Sequence, residues 1–114
     1  MERKRDDEYM RGAAESLYEA LSDCDGYMPA WKICARISMP ERELRIVVAY
    51  ARSHGHADIV SGNLGYAVAR TPEELRRGAA RIRAHLFSEM EVYRAMERQA
   101  DRMAKQTLFE VAGA

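Results

Sequence analysis

The chain has 114 residues, 47% of them apolar and 32% charged, with 18 basic and 18 acidic side chains that cancel to a formal net charge of zero. This composition fits one folded domain with a modest core and excludes a disordered, collagenous or disulfide-rich chain. No apolar run approaches the roughly 20 residues needed to span a bilayer, and Met1-Glu2-Arg3-Lys4-Arg5 has no apolar stretch behind it, so a secretory signal is not expected. Cys24 and Cys34 show no ligand-pair spacing and read as reduced thiols, Cys34 in the core, of a cytoplasmic protein. The charge is unevenly spread: −4 over residues 1–25, +3 over 26–70 and +1 over 71–114.

Residues 1–5 are expected to be a flexible lead. A first helix is predicted from about Asp6 to Leu21, because Met10, Ala13, Ala14, Leu17 and Leu21 recur at three- and four-residue steps. Ser22-Asp23-Cys24-Asp25-Gly26 ends it, and Tyr27-Met28 suits one short strand. A second helix follows from about Pro29 to Ile37, with Ala30, Ile33, Cys34 and Ile37 inward. In "SMPE", Ser38 and Glu41 have capping-box spacing, which predicts Ser38 as the cap of a third helix from about Met39 to His54. Its apolar stripe is Leu44, Val47, Val48 and Ala51; the opposite face holds Arg42, Arg45, Ile46, Ala49 and Ser53. Gly55 stands where a left-handed residue is wanted.

The stretch "DIVSGNLGYAVA", residues 58–69, reads as a hairpin: Asp58–Ser61 and Tyr66–Ala69 flank Gly62-Asn63-Leu64-Gly65. Ile59, Tyr66 and Val68 are expected to face the core, with Ser61 to Leu64 a free tip. "TPEE" then supplies Thr71 as cap, Pro72 in the first turn and Glu74 at the capping-box position of a helix of about 35 residues, roughly 50 Å long. Gly78 is its one weak point.

The order of elements, carried by "YMPAWKICARISMPERELRIVVAYARSHGHADIVSGNLGYAVARTPEEL", resembles the winged helix-turn-helix DNA-binding domains of small phage and bacterial proteins with an extended C-terminal helix. The resemblance covers about residues 7–88. It implies a mainly α fold with one small hairpin: a winged core over residues 6–71, a long helix over 72–108 and a frayed tail over 109–114. It also implies a sequence-specific regulator of double-stranded DNA whose third helix, 39–54, enters the major groove beside a wing at 57–70. Arg42, Arg45, Ile46 and Ala49 would meet base edges, while Lys32, Arg36, Arg52, Asn63 and Arg70 would meet phosphates. The wing tip departs from the pattern, since "SGNLG" carries no Lys or Arg. That uncharged tip, the zero net charge and the acidic N-terminus favour the rival reading, an adaptor that binds protein instead of DNA.

Catalysis, a metal site and a cofactor are not expected. No nucleophile–base arrangement or phosphate loop is suggested, and His54 and His56 read as a helix end and the start of a strand. Trp31 is expected to pack in the core or an interface. The long helix carries a stripe, Leu75, Ala79, Ile82 and Leu86, then Met90, Tyr93, Met96, Ala100 and Met103, that outruns one small domain. Its first half is expected to pack on the core, with the acidic first helix against Arg76, Arg77, Arg81 and Arg83. Its second half is expected to form a homodimer that reads a palindromic site.

Overall fold

A computed structural model describes residues 6–113; the expected flexible lead at 1–5 lies outside them. The fold is mainly helical with a two-stranded antiparallel hairpin and a long C-terminal helix: α1 Asp7–Ser22, α2 Ala30–Ile37, α3 Glu41–Ser53, β1 Ile59–Gly62, β2 Gly65–Val68 and α4 Pro72–Gly113. One compact unit ends at Ala79 and a second begins at Ala80.

Helix α1 starts where Asp6 accepts from the Tyr9 backbone N–H at 2.8 Å, with Asp7 and Glu8 favouring the positive end of the helix dipole. Its buried face is Met10, Ala14, Leu17, Ala20 and Leu21. Met10, Ala14, Leu17 and Leu21 meet Ile33 of α2 and Leu44, Val47, Val48 and Ala51 of α3 in a single core that also holds Met28 and Ile59. The apolar stripes predicted for α1 and α3 are therefore the buried ones.

The link between α2 and α3 differs from expectation. Ser38 takes the left-handed conformation (φ 55°) that closes α2, with the Met39 N–H donating to the Cys34 carbonyl at 3.2 Å. A residue so engaged is turned away from α3. Pro40 occupies the capping position there without a side-chain hydrogen bond, and α3 begins at Glu41. Proline at that position suits a tight connection, since its fixed φ feeds the next helix directly. Thr71 caps α4 as predicted, its Oγ1 accepting from the Glu74 N–H at 3.2 Å, while Glu74 Oε2 reaches one residue past the cap and accepts from the Arg70 N–H at 2.7 Å.

In the hairpin, Ile59 pairs with Val68, Val60 with Ala67, Ser61 with Tyr66 and Gly62 with Gly65. The strands thus run through both glycines, and the turn is only Asn63-Leu64. Gly65, at φ 127°, lies against the Met28 carbonyl with no room for a side chain. That approach lets Met28 and Tyr66 exchange backbone hydrogen bonds of 2.8 and 3.0 Å, so the short strand expected at Tyr27-Met28 is a single bridge. Ile59, Tyr66 and Val68 face the core as expected, Tyr66 and Val68 only partly buried.

The opposite face of the hairpin is buried as well, through Val60 and Ala67. Gly78 of α4 lies over it: a Cβ there would come within 2.5 Å of Val60 Cγ1. Gly78 is the one buried residue of α4. Leu75, in the first turn of α4, is exposed. The helix also continues through the predicted frayed tail, from residue 109 to Gly113, while Ala114 lies outside the described residues.

Gly78→Ala is expected to destabilise the chain by roughly 1–3 kcal/mol, because overpacking of a filled site outweighs a helix-propensity gain of about 1 kcal/mol. Leu64→Ser, at the exposed turn, should cost under about 0.5 kcal/mol. Urea unfolding of both checks the pair; a stabilised Gly78→Ala would mean that Val60 gives way.

Candidate nucleic-acid interface

Helix α3 buries Leu44, Val47, Val48 and Ala51, which turns the other side of the helix to solvent. Arg42, Arg45 and Ala49 are exposed there, and Ile46 is partly buried against the core. An open groove of about 540 Å³ separates the start of α3 from the tip of the hairpin. Arg45 and Glu41 line one side, Ser61 to Tyr66 another, and Pro29, Ala30 and Trp31 of the α2 entrance a third. Arg45 and Asn63, chosen from sequence for different roles, therefore share one groove. Lys32 and Arg42 are exposed outside its lining.

Arg36, Arg52 and Arg70, expected at phosphates, are engaged within the fold. Arg52 donates from Nε to the Ile59 carbonyl at 2.9 Å and from its terminal nitrogen to Ser61 Oγ at 2.7 Å, which ties α3 to β1. Burial pushes its guanidinium below the usual value, yet arginine stays cationic at neutral pH. Ser61, expected at a free tip, is thereby held. Arg70 donates to the carbonyls of Ser22 and Cys24 at 3.0 and 3.2 Å, satisfying orphan acceptors at the end of α1. Arg36 faces Asp23 at 3.4 Å in an exposed ion pair of small energetic value. Arg52 and Arg70 thus have partners within the fold, and the carbonyl ends they meet are invisible to periodicity.

Carboxylates temper the charge of this face. Glu41 borders the groove, and Glu43 accepts from the Tyr9 hydroxyl. Trp31 is 71% exposed and Leu64 73% exposed, both on the groove. Of the two placements expected for Trp31, core or interface, this exposure excludes the core. The sequence signal for this apolar rim was the uncharged "SGNLG" tip beside an amphipathic tryptophan.

His54 and His56 serve the scaffold. His54 caps α3, its Nδ1 2.8 Å from the Tyr50 carbonyl and its ring stacked on Tyr50. His56 lies 3.0 Å from Glu15 Oε1 and stacks on Tyr18. Cys34 is partly buried against the core, and burial, then the charge of Glu41, push its thiol pKa up. Among the described residues no group of three or more His, Cys, Asp or Glu is placed to hold a metal ion. No helix among them is long and apolar enough to cross a membrane. No protein-family model, curated protein or solved structure matches the chain.

The Tyr18 hydroxyl donates to Asp58 Oδ2 at 2.7 Å, joining α1 to the loop before β1. That bond, then burial, raises the phenol pKa. A raised folded-state pKa gives stability that is complete below the unfolded value, about 10, and lost as pH rises through the raised one. Tyr18→Phe should therefore cost about 1 kcal/mol at pH 7, with the gap to wild type closing above about pH 10. Urea titrations at the two pH values read this directly; a constant gap would remove titration of Tyr18 from the account.

Proposed function

We propose that the chain is a winged helix-turn-helix regulator that binds double-stranded DNA without catalysing a reaction. The observation that carries this reading is the joint exposure of Arg42, Arg45 and Ala49 on the outer face of α3, with Arg45 on the groove that the wing borders. In this reading α3 lies in the major groove of DNA. Arg45 offers its planar fork to guanine O6 and N7, and Ala49 allows close approach. Lys32 supplies a phosphate contact from α2, and Asn63 a weaker one from the wing. The protein acts in the cytoplasm as a homodimer on a palindromic site, as an operator- or replication-site protein of the kind that the resemblance to small phage winged-helix proteins implies.

A second reading rests on a specific observation. Trp31 and Leu64 expose more apolar surface on the groove than a phosphate-tracking face requires. An adaptor that takes an apolar side chain of a partner protein there would use the same scaffold.

Salt decides between them. The wild-type chain is expected to retain fragments of a genomic DNA pool at about 50 mM salt and to lose them steeply as salt rises. Arg45→Ala should weaken binding to the retained sequence by roughly 1–3 kcal/mol and relax preference at one position. Lys32→Ala should weaken all sequences alike and reduce the salt slope by about 1. No retention at low salt would move the groove to the adaptor reading, and unchanged binding in both variants would remove α3 as the reading element.

A further inference from the structure

Trp31 is the chain's one tryptophan and stands 71% exposed on the groove between the start of α3 and the tip of the hairpin. Leu64, 73% exposed, lines the same groove from the hairpin turn. Single apolar side chains on a surface are ordinary, but these two flank a concavity. Its volume of about 540 Å³ falls within the roughly 300–1,000 Å³ of clefts that hold small organic groups. The hairpin side of the groove is fixed before anything enters it. Gly62 lies against the Tyr27 ring, where a Cβ would come within 2.8 Å of it, and Gly65 lies against the Met28 carbonyl.

Two polar groups share the lining. Glu41 and Arg45 stand one turn apart on the same side of α3, both exposed, and neither takes part in an ion pair among the described residues. A carboxylate here repels a phosphate, so a sugar–phosphate backbone is a poor occupant of the groove. An aliphatic side chain of a partner protein suits Trp31 and Leu64 but leaves Glu41 and Arg45 without a match. A nucleobase matches all four. Its face stacks on the indole and packs on the leucine, and its edge offers amino donors to the carboxylate and acceptors to the guanidinium. In a duplex, neighbouring bases cover both faces of each base, so only an unpaired base has a face to give Trp31. Lys32, next to Trp31 in the chain, is exposed outside the lining, where a phosphate of the same strand can lie.

Resting on the reading that this face binds nucleic acid, we infer that the groove takes an unpaired base of single-stranded DNA. The base stacks on Trp31, and Glu41 accepts from its exocyclic amino group. The protein thereby recognises DNA in which a strand is open.

Trp31 is its own reporter. In the full-length chain at about 50 mM salt, its fluorescence should fall on titration with oligo(dC) and fall much less with oligo(dT), whose bases carry no exocyclic amino group. A mixed-sequence duplex should leave it nearly unchanged. Trp31→Ala should weaken binding of a labelled oligo(dC) strand about tenfold or more, and Trp31→Phe, which keeps an aromatic face, should restore most of it. Glu41→Gln should narrow the gap between the two strands. Urea unfolding should be unchanged in Trp31→Ala, which separates a lost contact from a lost fold. No quenching by oligo(dC), or equal quenching by the duplex, overturns the inference, as does equal affinity of the wild type for oligo(dC) and oligo(dT). Retention of duplex fragments beside a silent Trp31 overturns the unpaired base alone and leaves the α3 reading standing. Binding of neither form removes both and hands the groove to a partner protein.

Discussion

The backbone of Gly65 runs against the carbonyl of Met28, and the hairpin depends on that approach. Two strands of four residues are marginal alone in water. Here Met28 and Tyr66 exchange hydrogen bonds, which gives the hairpin a third backbone partner. Ile59 fills the core on one face, Gly78 closes over Val60 on the other, and Arg52 clamps the strand to α3. The turn Asn63-Leu64 is left exposed beside Arg45 because the rest of the hairpin is fixed. Any side chain at residue 65 would separate these backbones, and the groove would lose its wall.

The division of labour among the arginines follows from chain geometry. Arg52 and Arg70 sit near carbonyl groups that helices and strands leave unpaired, and a guanidinium with five donors suits such acceptors. Arg42 and Arg45 stand on a helix face with no comparable acceptor among the described residues. The cationic surface of the α3 face is therefore narrower than the +3 charge of residues 26–70 suggests. It is also bordered by Glu41 and by exposed apolar groups, which makes shape and apolar contact as important there as charge.

The helices, their buried faces and the hairpin were legible because each rests on local periodicity or on glycine: Leu17, Leu44 and Ile59 are fully buried where stripe and alternation put them. What escaped depends on distant partners. Ser38 has the spacing of a cap, but the turn needs it in a left-handed conformation, and spacing does not encode φ. Gly78 looked like a helix defect because Val60, its reason, is 18 positions away. For Trp31 the choice between core and interface stayed open, because composition does not say which side of a short helix meets the interior. At the candidate interface, exposure of Arg42, Arg45 and Ala49 could be read from the α3 stripe, whereas the engagement of Arg52 and Arg70 could not.

Ser38 carries one more consequence. A non-glycine residue in the left-handed region costs roughly 1–2 kcal/mol, and here that cost falls on the hinge between the two helices that frame Trp31 and Arg45. The cost is met only while the core holds α2 and α3 in place through Ile33 and Leu44. In the unfolded ensemble Ser38 relaxes to ordinary backbone angles, so the turn has little tendency to form before the helices dock. The angle between α2 and α3 is thus a product of tertiary packing and not of the local sequence, and core substitutions far from the groove will reshape it.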